Sequence, residues 1–377
     1  MASLAPETMH HLVEAIGQSP PVDTTAPYNR DGVSGKTILV TGGASGFGAA
    51  FAREWAGHGA NLILGDVNDK MGEELVAELR ASTGSSHHHY IHCDVTDWQS
   101  QVAFFRTAAQ LSPTGGIDGV VANAGIVEKE TTVSGKGFEN PSNLDTDPNP
   151  PPPNLDVVNV NFIGVLYTTH LALFWLPRNG AAKQPSNSQP NGNGATDCKP
   201  SGLPRDRHLL LVGSIAGIAP LPCQTGYAAA KHAVTGLFRS LRATVRGQGI
   251  RVNMICPYFV ATPIIPKAGL LALAGGAPAE LEDVVDAATR LMADDGIVGR
   301  ALCIGPKIVV VPGQDGAEDT VKLVEGEGQA VWECYAQDYE SVEVFVWRMV
   351  RLLNTVRTIR GWVGLVKDTV RILFGGR

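Results

Sequence analysis

From Lys36 onward the chain alternates short apolar runs with amphipathic stretches of about 10 to 20 residues, and this rhythm constrains its fold more than any other feature. The run TILV (37–40) ends in a glycine-rich turn, after which GAAFAREWAGHG reads as a helix stopped at Gly57 and Gly59. NLILGD (61–66) reads as a second buried strand. A helix over 69–80, a strand at YIHCDV (90–95), a helix over 97–111, a strand at IDGVVANAG (117–125) and a helix from about Leu155 to Leu176 continue the series. The later strands are HLLLVGSI (208–215), RVNMICP (251–257) and ALCIGP (301–306), with a helix over 225–247 between the first two. Strands and helices in this order make βαβ units, so the expected fold class is α/β: a doubly wound parallel sheet with helices on both faces, plus N- and C-terminal helical extensions.

The rhythm assigns 35–315 to one domain. Residues 1–34 form an N-terminal extension, with a short helical pattern around Glu7 to Ile16 and a Pro-rich connector from Ser19 to Tyr28. Two polar stretches, about 131–154 with DPNPPPPN and 178–207 with QPSNSQPNGNG, cannot bury enough to offset chain entropy and read as surface insertions. The first follows the fourth strand, where it can overhang a crevice at the carboxyl ends of the strands. Residues 316–377 form a C-terminal extension. Within it, Val342, Phe345, Met349, Leu352, Val356, Ile359, Val363, Val366, Val370 and Leu373 recur at helical spacing. Seven basic and two acidic residues over 341–377 give this amphipathic helix a positive field. Its expected role is to pack on the body of the domain, to pair with another subunit in a homo-oligomer, or to make peripheral membrane contact through 342–374.

Charge excludes one class of partner. Lys and Arg total 30 against 37 acidic residues, a net charge of -7, so no basic field favours nucleic acid. The six cysteines form no C-x-x-C pair, and His87–His89 reads as a solvated loop, so free thiols and no metal site are expected. The N-terminus lacks a charged segment followed by a long apolar run, and no stretch of about 18 uninterrupted apolar residues occurs. The expected location is cytoplasmic, with any membrane contact peripheral.

The first strand leads into Thr41-Gly42-Gly43-Ala44-Ser45-Gly46-Phe47-Gly48. Glycine permits the tight turn and close backbone approach that a pyrophosphate needs, and the helix that follows offers free N–H groups and the positive end of its dipole. The second strand ends at Asp66, near the spacing expected of an acid that binds the adenosine ribose. Its carboxylate would accept from the ribose hydroxyls and repel a 2′-phosphate. Neither Ser45 nor Val67 supplies a cation for that phosphate, so NAD is the expected cofactor. Asp94 is placed to meet the adenine amino group, and Asn123-Ala124-Gly125 ends the fourth strand.

Ser214 ends a later strand, and 13 residues on, Tyr227-Ala-Ala-Ala-Lys231 begins a helix. Tyrosine and lysine four apart share one helical face. A neighbouring ammonium favours phenolate and lowers the tyrosine pKa toward working pH. Ser214 can then hold a substrate oxygen while Tyr227 exchanges its proton.

These residues together resemble the short-chain dehydrogenase/reductase family in its single-domain form. The resemblance covers about 35–312 and rests on TGGASGFG (41–48), Asp66, Asp94, NAG (123–125), NVNFIG (159–164), Ser214, YAAAK (227–231) and CPYFVATP (256–263). It implies a Rossmann-type sheet and an NAD-dependent oxidoreductase interconverting a secondary alcohol and a ketone. Gly42, Ser45, Gly46, Phe47, Gly48, Asp66, Asp94, Val95, Asn123, Tyr227, Lys231, Val260 and Thr262 are implied at the cofactor. Asn161 is implied as a fourth catalytic residue organising water toward Lys231, with Asn159 as the register alternative. Gln224 stands where hydroxyprostaglandin-dehydrogenase-like members carry a glutamine near the substrate oxygen, which points to a bulky, lipophilic alcohol. The family usually has Pro-Gly where this chain has Pro257-Tyr258, so Tyr258 is expected to shape the substrate pocket. The competing readings are a dinucleotide-binding scaffold that has lost turnover and a membrane-anchored member of the same family.

Overall fold

The computed structural model describes residues 17–128, 136–180, 205–262, 278–311, 320–324 and 326–335, with Thr355, Ile359 and Trp362. Seven parallel strands form the sheet: β1 (Thr37–Thr41), β2 (Asn61–Asp66), β3 (His89–His92), β4 (Gly119–Ala122), β5 (His208–Val212), β6 (Arg251–Pro257) and β7 (Ala301–Val311). Their order is β3-β2-β1-β4-β5-β6-β7. Ile38 lies opposite both Leu62 and Gly119, and His208 opposite both Gly119 and Arg251. The chain builds outward from β1 to β3, returns, and builds the other way from β4. The order therefore reverses between β1 and β4, and a ligand crevice opens at their carboxyl ends.

Among the described residues six helices connect the strands: α1 (Gly46–Gly57), α2 (Asp69–Thr83), α3 (Trp98–Leu111), α4, α5 (Thr225–Thr244) and α6 (Leu281–Ala293). Helix α4 starts at Asp156–Val158, widens into a π-helical turn at Asn159–Gly164 and continues over Val165–Trp175. Successive strand residues point to opposite faces, and here both faces are covered, which is why the strand sequences are apolar without alternation. Ile38, Val40, Leu62, Leu64, Leu210 and Ile304 face a core closed by α1, α2 and α6. Leu39, Ile63, Val120, Leu209, Leu211 and Met254 face one closed by α3, α4 and α5. Trp55 is fully buried in the first core, stacked on Phe51, with its indole N–H donated to the Thr289 hydroxyl at 2.9 Å. The segment Asp156–Gly180 is long and apolar enough to cross a membrane by length and composition, yet here it supplies Val165, Leu171 and Leu176 to the second core.

At the amino ends of β5 and β6 a charge cluster is buried. Arg251 grips Asp206 through Nε at 2.7 Å and Nη2 at 2.6 Å, and Lys36 Nζ reaches the same carboxylate at 2.7 Å. Burial alone would raise the Asp206 carboxyl, but Arg251 and Lys36 hold it well below the usual carboxylate range.

The structure departs from the sequence expectations at several points. Helix α2 continues past 80 to Thr83, held at its start by Asn68 accepting from the Met71 N–H. β3 stops at His92, so Asp94 lies beyond the strand rather than at its end. The histidine run is a solvated loop only at His87, which is exposed: His88 is 1% exposed with Nε2 3.1 Å from the Thr83 hydroxyl, and His89 opens β3, because residue pairing with β2 starts there. The sheet also continues into the region assigned to the C-terminal extension. β8 (Thr320–Leu323) and β9 (Gln329–Cys334) pair antiparallel with β7. The Pro-rich connector is docked: Arg290 donates to the carbonyls of Asp23, Thr24 and Ala26, and the Tyr28 hydroxyl to Asp286. The helical pattern at 7–16, most of the second insertion and the apolar series 342–374, apart from exposed, helical Ile359, lie outside the described residues.

Candidate active site

The turn after β1 brings the amino end of α1 to the crevice. Gly42 has φ +63°, and a Cβ there would lie 2.7 Å from Ala124 Cα; at Gly48 one would lie 2.2 Å from the Gly42 carbonyl oxygen. Both positions therefore exclude a side chain. Beside Gly46 the space is open, with only Thr262 at 4.0 Å from where a Cβ would stand. Ser45 is the N-cap of α1 but makes no side-chain cap bond, so the first-turn N–H groups face the cradle uncapped by it. Phe47 turns away, against the first core. The Asn123 amide donates at 2.9 Å to the carbonyls of both Thr41 and Gly42, fastening the turn after β4 to the glycine turn.

Asp66, at the end of β2, accepts from the Ala44 N–H through Oδ2 and from the Asn68 N–H through Oδ1, each at 3.0 Å. Each carboxylate oxygen keeps a second acceptor position. The Tyr90 hydroxyl stands 2.6 Å from the Asp66 carbonyl and 2.6 Å from Asp69 Oδ1, which also meets His92 Nδ1 at 2.8 Å. This cluster fixes the backbone that carries Asp66. Asp94 spends one oxygen on the N–H and hydroxyl of Thr96, and Val95 is buried beside it.

Ser214 follows β5 and caps the short turn Ile215–Gly217, its hydroxyl accepting from the Ala216 N–H at 3.1 Å and bonded to the Tyr227 phenol. Lys231 is 4% exposed; its ammonium donates to the Val212 carbonyl at 3.0 Å and lies 5.7 Å from the Tyr227 ring centre. Burial brings the Lys231 pKa down to about 8. Burial also raises the Tyr227 phenol, against the lowering expected from an adjacent cation, and the Ser214 hydrogen bond offsets only part of this rise. The reason is geometric, since the ammonium is aimed at a backbone carbonyl rather than at the phenol oxygen.

Asn161 is fully buried in the π turn, accepting from the Ile126 N–H and donating to the Ile126 carbonyl, both at 2.8 Å. Asn159, the register alternative, is exposed. Val260 is buried after β6 and bridges to Ala279, and Thr262 closes over Gly46. Tyr258 packs edge-on against Phe259 at 4.9 Å. Gln224 has both ends of its amide on the Glu128 backbone, Oε1 accepting from N–H at 3.2 Å and Nε2 donating to the carbonyl at 3.4 Å. Cys256, which opens CPYFVATP on β6, is fully buried in electrostatic reach of Tyr227 and Lys231. Glu128, which meets the start of α5, escaped sequence reasoning, since it belongs to no spacing pattern that marks it.

The chain matches the family model described as short chain dehydrogenase over residues 36–182 and 208–269. It is 36% identical over 285 residues to a 5'-hydroxyaverantin dehydrogenase of Dothistroma septosporum, covering 73% of this chain and 86% of that one. It is 29% identical over 235 residues to a 15-hydroxyprostaglandin dehydrogenase [NAD(+)] of Rattus norvegicus, covering 62% and 71%. Among solved structures, a 3-ketoacyl-(acyl-carrier-protein) reductase from Brucella melitensis complexed with NADH superimposes with a TM-score of 0.55 at 23% identity, over 72% of this chain and 97% of that one.

Proposed function

Because the chain belongs to the short-chain dehydrogenase/reductase family, oxidoreductases acting on CH–OH groups, we propose that it interconverts a bulky, lipophilic secondary alcohol and its ketone with NAD. The observation that carries this reading is the convergence of Ser214, Tyr227, Lys231 and Asn161 at the carboxyl ends of the central strands, across the crevice from Asp66.

The cradle fits a dinucleotide. The glycines at 42, 46 and 48, with Ser45 and Phe47, would hold the pyrophosphate, Asp66 the adenosine ribose, and Asp94 and Val95 the adenine. Asn123 keeps the cradle closed, and Val260 and Thr262 would meet the nicotinamide carboxamide. The preference for NAD rests on Asp66, whose charge repels a 2′-phosphate. NAD, when bound, supplies the acceptor for the hydride leaving the carbinol carbon.

The protein's own part is proton handling and orientation. The Ser214 hydroxyl holds the substrate oxygen, and the Tyr227 phenolate removes its proton as the C–H electron pair departs and the C=O bond forms. Lys231, cationic below about pH 8, would hold the nicotinamide ribose and, turned from the Val212 carbonyl toward the phenol, would favour the phenolate. Asn161, anchored on Ile126, organises water toward Lys231. Tyr258, expected from the sequence to shape the pocket, packs on the first core and on Phe259, so the bulky, lipophilic substrate rests on the two relatives, whose names each denote dehydrogenation of a hydroxylated compound.

Following NADH absorbance across secondary alcohols and ketones tests this reading. Tyr227→Phe is expected to lower kcat roughly 10²- to 10⁴-fold. Undiminished turnover by that variant would refute the assigned chemistry.

A further inference from the structure

We infer that Glu128 and Gln224 form a clamp that positions the first turn of the Tyr227–Lys231 helix, and that Gln224 acts through Glu128 rather than by binding the substrate. Helix α5 begins with N–H groups that have no partner inside the helix. Its N-cap residue, Gln224, leaves them unmet, since its side chain makes no cap bond. The acceptor comes instead from 98 positions earlier in the chain, where Glu128 Oε1 takes the Gly226 N–H at 2.8 Å, and the same carboxyl takes the Tyr227 N–H. A carboxylate at this end is also favoured by the helix dipole.

The approach is tight. A Cβ on Gly226 would lie 2.5 Å from Glu128 Oε1, so a side chain there would push the carboxylate aside. Just before the helix, Cys223 sits at φ +65°, a backbone strain that persists only where neighbouring contacts impose it. Gln224 closes the clamp from the other side, its amide gripping the Glu128 backbone at both N–H and carbonyl. Two residues upstream, Asn161 grips Ile126 in the same two-ended way. The segment 126–128 is thus pinned by one carboxamide from α4 and one from the start of α5. Through it, the position of Tyr227 is set by the turn that follows β4. The Gln224 amide, committed at both ends, orients the backbone that holds the catalytic helix.

This inference rests on the proposed role of Tyr227 for its kinetic arm only. In the full-length protein, Glu128→Ala is expected to lower kcat for an oxidised alcohol about tenfold or more, with the KM for NAD nearly unchanged, and to speed hydrogen exchange at the Gly226 and Tyr227 amides about tenfold. Glu128→Gln keeps an acceptor oxygen and should restore both. Gln224→Met should reproduce the Glu128→Ala losses in part, and the double variant should fall little further. If Glu128→Ala does not fold, Gln224→Met, which leaves the carboxylate in place, carries the test. Parent-like kcat and parent-like exchange in the folded variants would overturn the clamp. A parent that oxidises no alcohol would count against the proposed function instead, and the exchange measurement would still decide the clamp.

Discussion

Lys231→Met should make the protein more stable and inactive at once. The Lys231 ammonium is 4% exposed and its pKa falls from 10.5 to about 8 on burial, so the folded state holds its proton less tightly than the unfolded chain does. At about 1.4 kcal/mol per tenfold in proton affinity, the charged lysine costs about 3 kcal/mol of folding stability at pH 7. Methionine of similar length removes that cost and gives up the hydrogen bond to the Val212 carbonyl, worth about 1 kcal/mol, leaving a net gain of about 2 kcal/mol. The sign follows from the depressed pKa. The penalty is complete below about pH 8, shrinks as the folded lysine deprotonates first, and is gone above about pH 10.5, where both states are neutral. Urea unfolding followed by tryptophan fluorescence should therefore show a higher midpoint for the variant at pH 7 and a gap that narrows toward pH 10. A Lys231→Met protein less stable than its parent at pH 7, or a gap that widens with pH, would refute the reasoning.

Other outcomes follow from the same geometry. Asp66→Asn should cut kcat/KM for NAD by about ten- to a hundredfold, the value of the charge-assisted bonds lost, while leaving NADP turnover equal or better; a strong NADPH preference in the parent would defeat the argument. Arg251→Ala leaves Asp206 and Lys36 in a site where the remaining charges are poorly matched, and should cost about 3–5 kcal/mol in denaturant unfolding. Because Asp206 is held well below its ordinary pKa, its stabilisation is present at neutral pH and fades as acid protonates it, so the parent and Arg251→Ala should converge in stability at low pH. Deleting 340–377 should abolish any binding to anionic liposomes if the basic tail lies on a membrane, and unchanged binding would exclude that role.

Much of the sheet was readable because each parallel strand is a local apolar run and each helix a local period, so β1, β2, β6 and α3 fall close to their expected spans. The placing of Ser214, Tyr227 and Lys231, of the glycine turn and of Asp66 at the carboxyl ends of the strands was likewise legible, since each is defined by spacing within a single βα unit. What the sequence withheld is set by distance along the chain. Glu128 and Gly226 meet across 98 positions, and no local pattern marks a carboxylate that caps a helix so far away. His88 looked solvated because its neighbours are small and polar, yet β3 pairing draws it inward. The Tyr227–Lys231 spacing put both side chains on one helix face but carried no information on where the ammonium would aim. β8 and β9 went unread because an antiparallel addition to an edge depends on where β7 ends, not on their own composition.

The length of β7 gives the crevice unequal sides. Its pairing with β6 stops at Ile304 opposite Pro257, yet it runs on to Val311, an overhang of about 20 Å. Within it Ile308 is the last residue to pair with β9, at Gln329, and Ile308–Val311 pair with β8, so this stretch projects beyond the sheet as a two-stranded, hydrogen-bonded ribbon. The opposite lip, the chain that leaves β4 through Ile126 and Glu128, is fastened by the side-chain amides of Asn161 and Gln224. One post of the doorway is therefore built of backbone pairing, which a point substitution spares, and the other of two side chains, which a point substitution can remove.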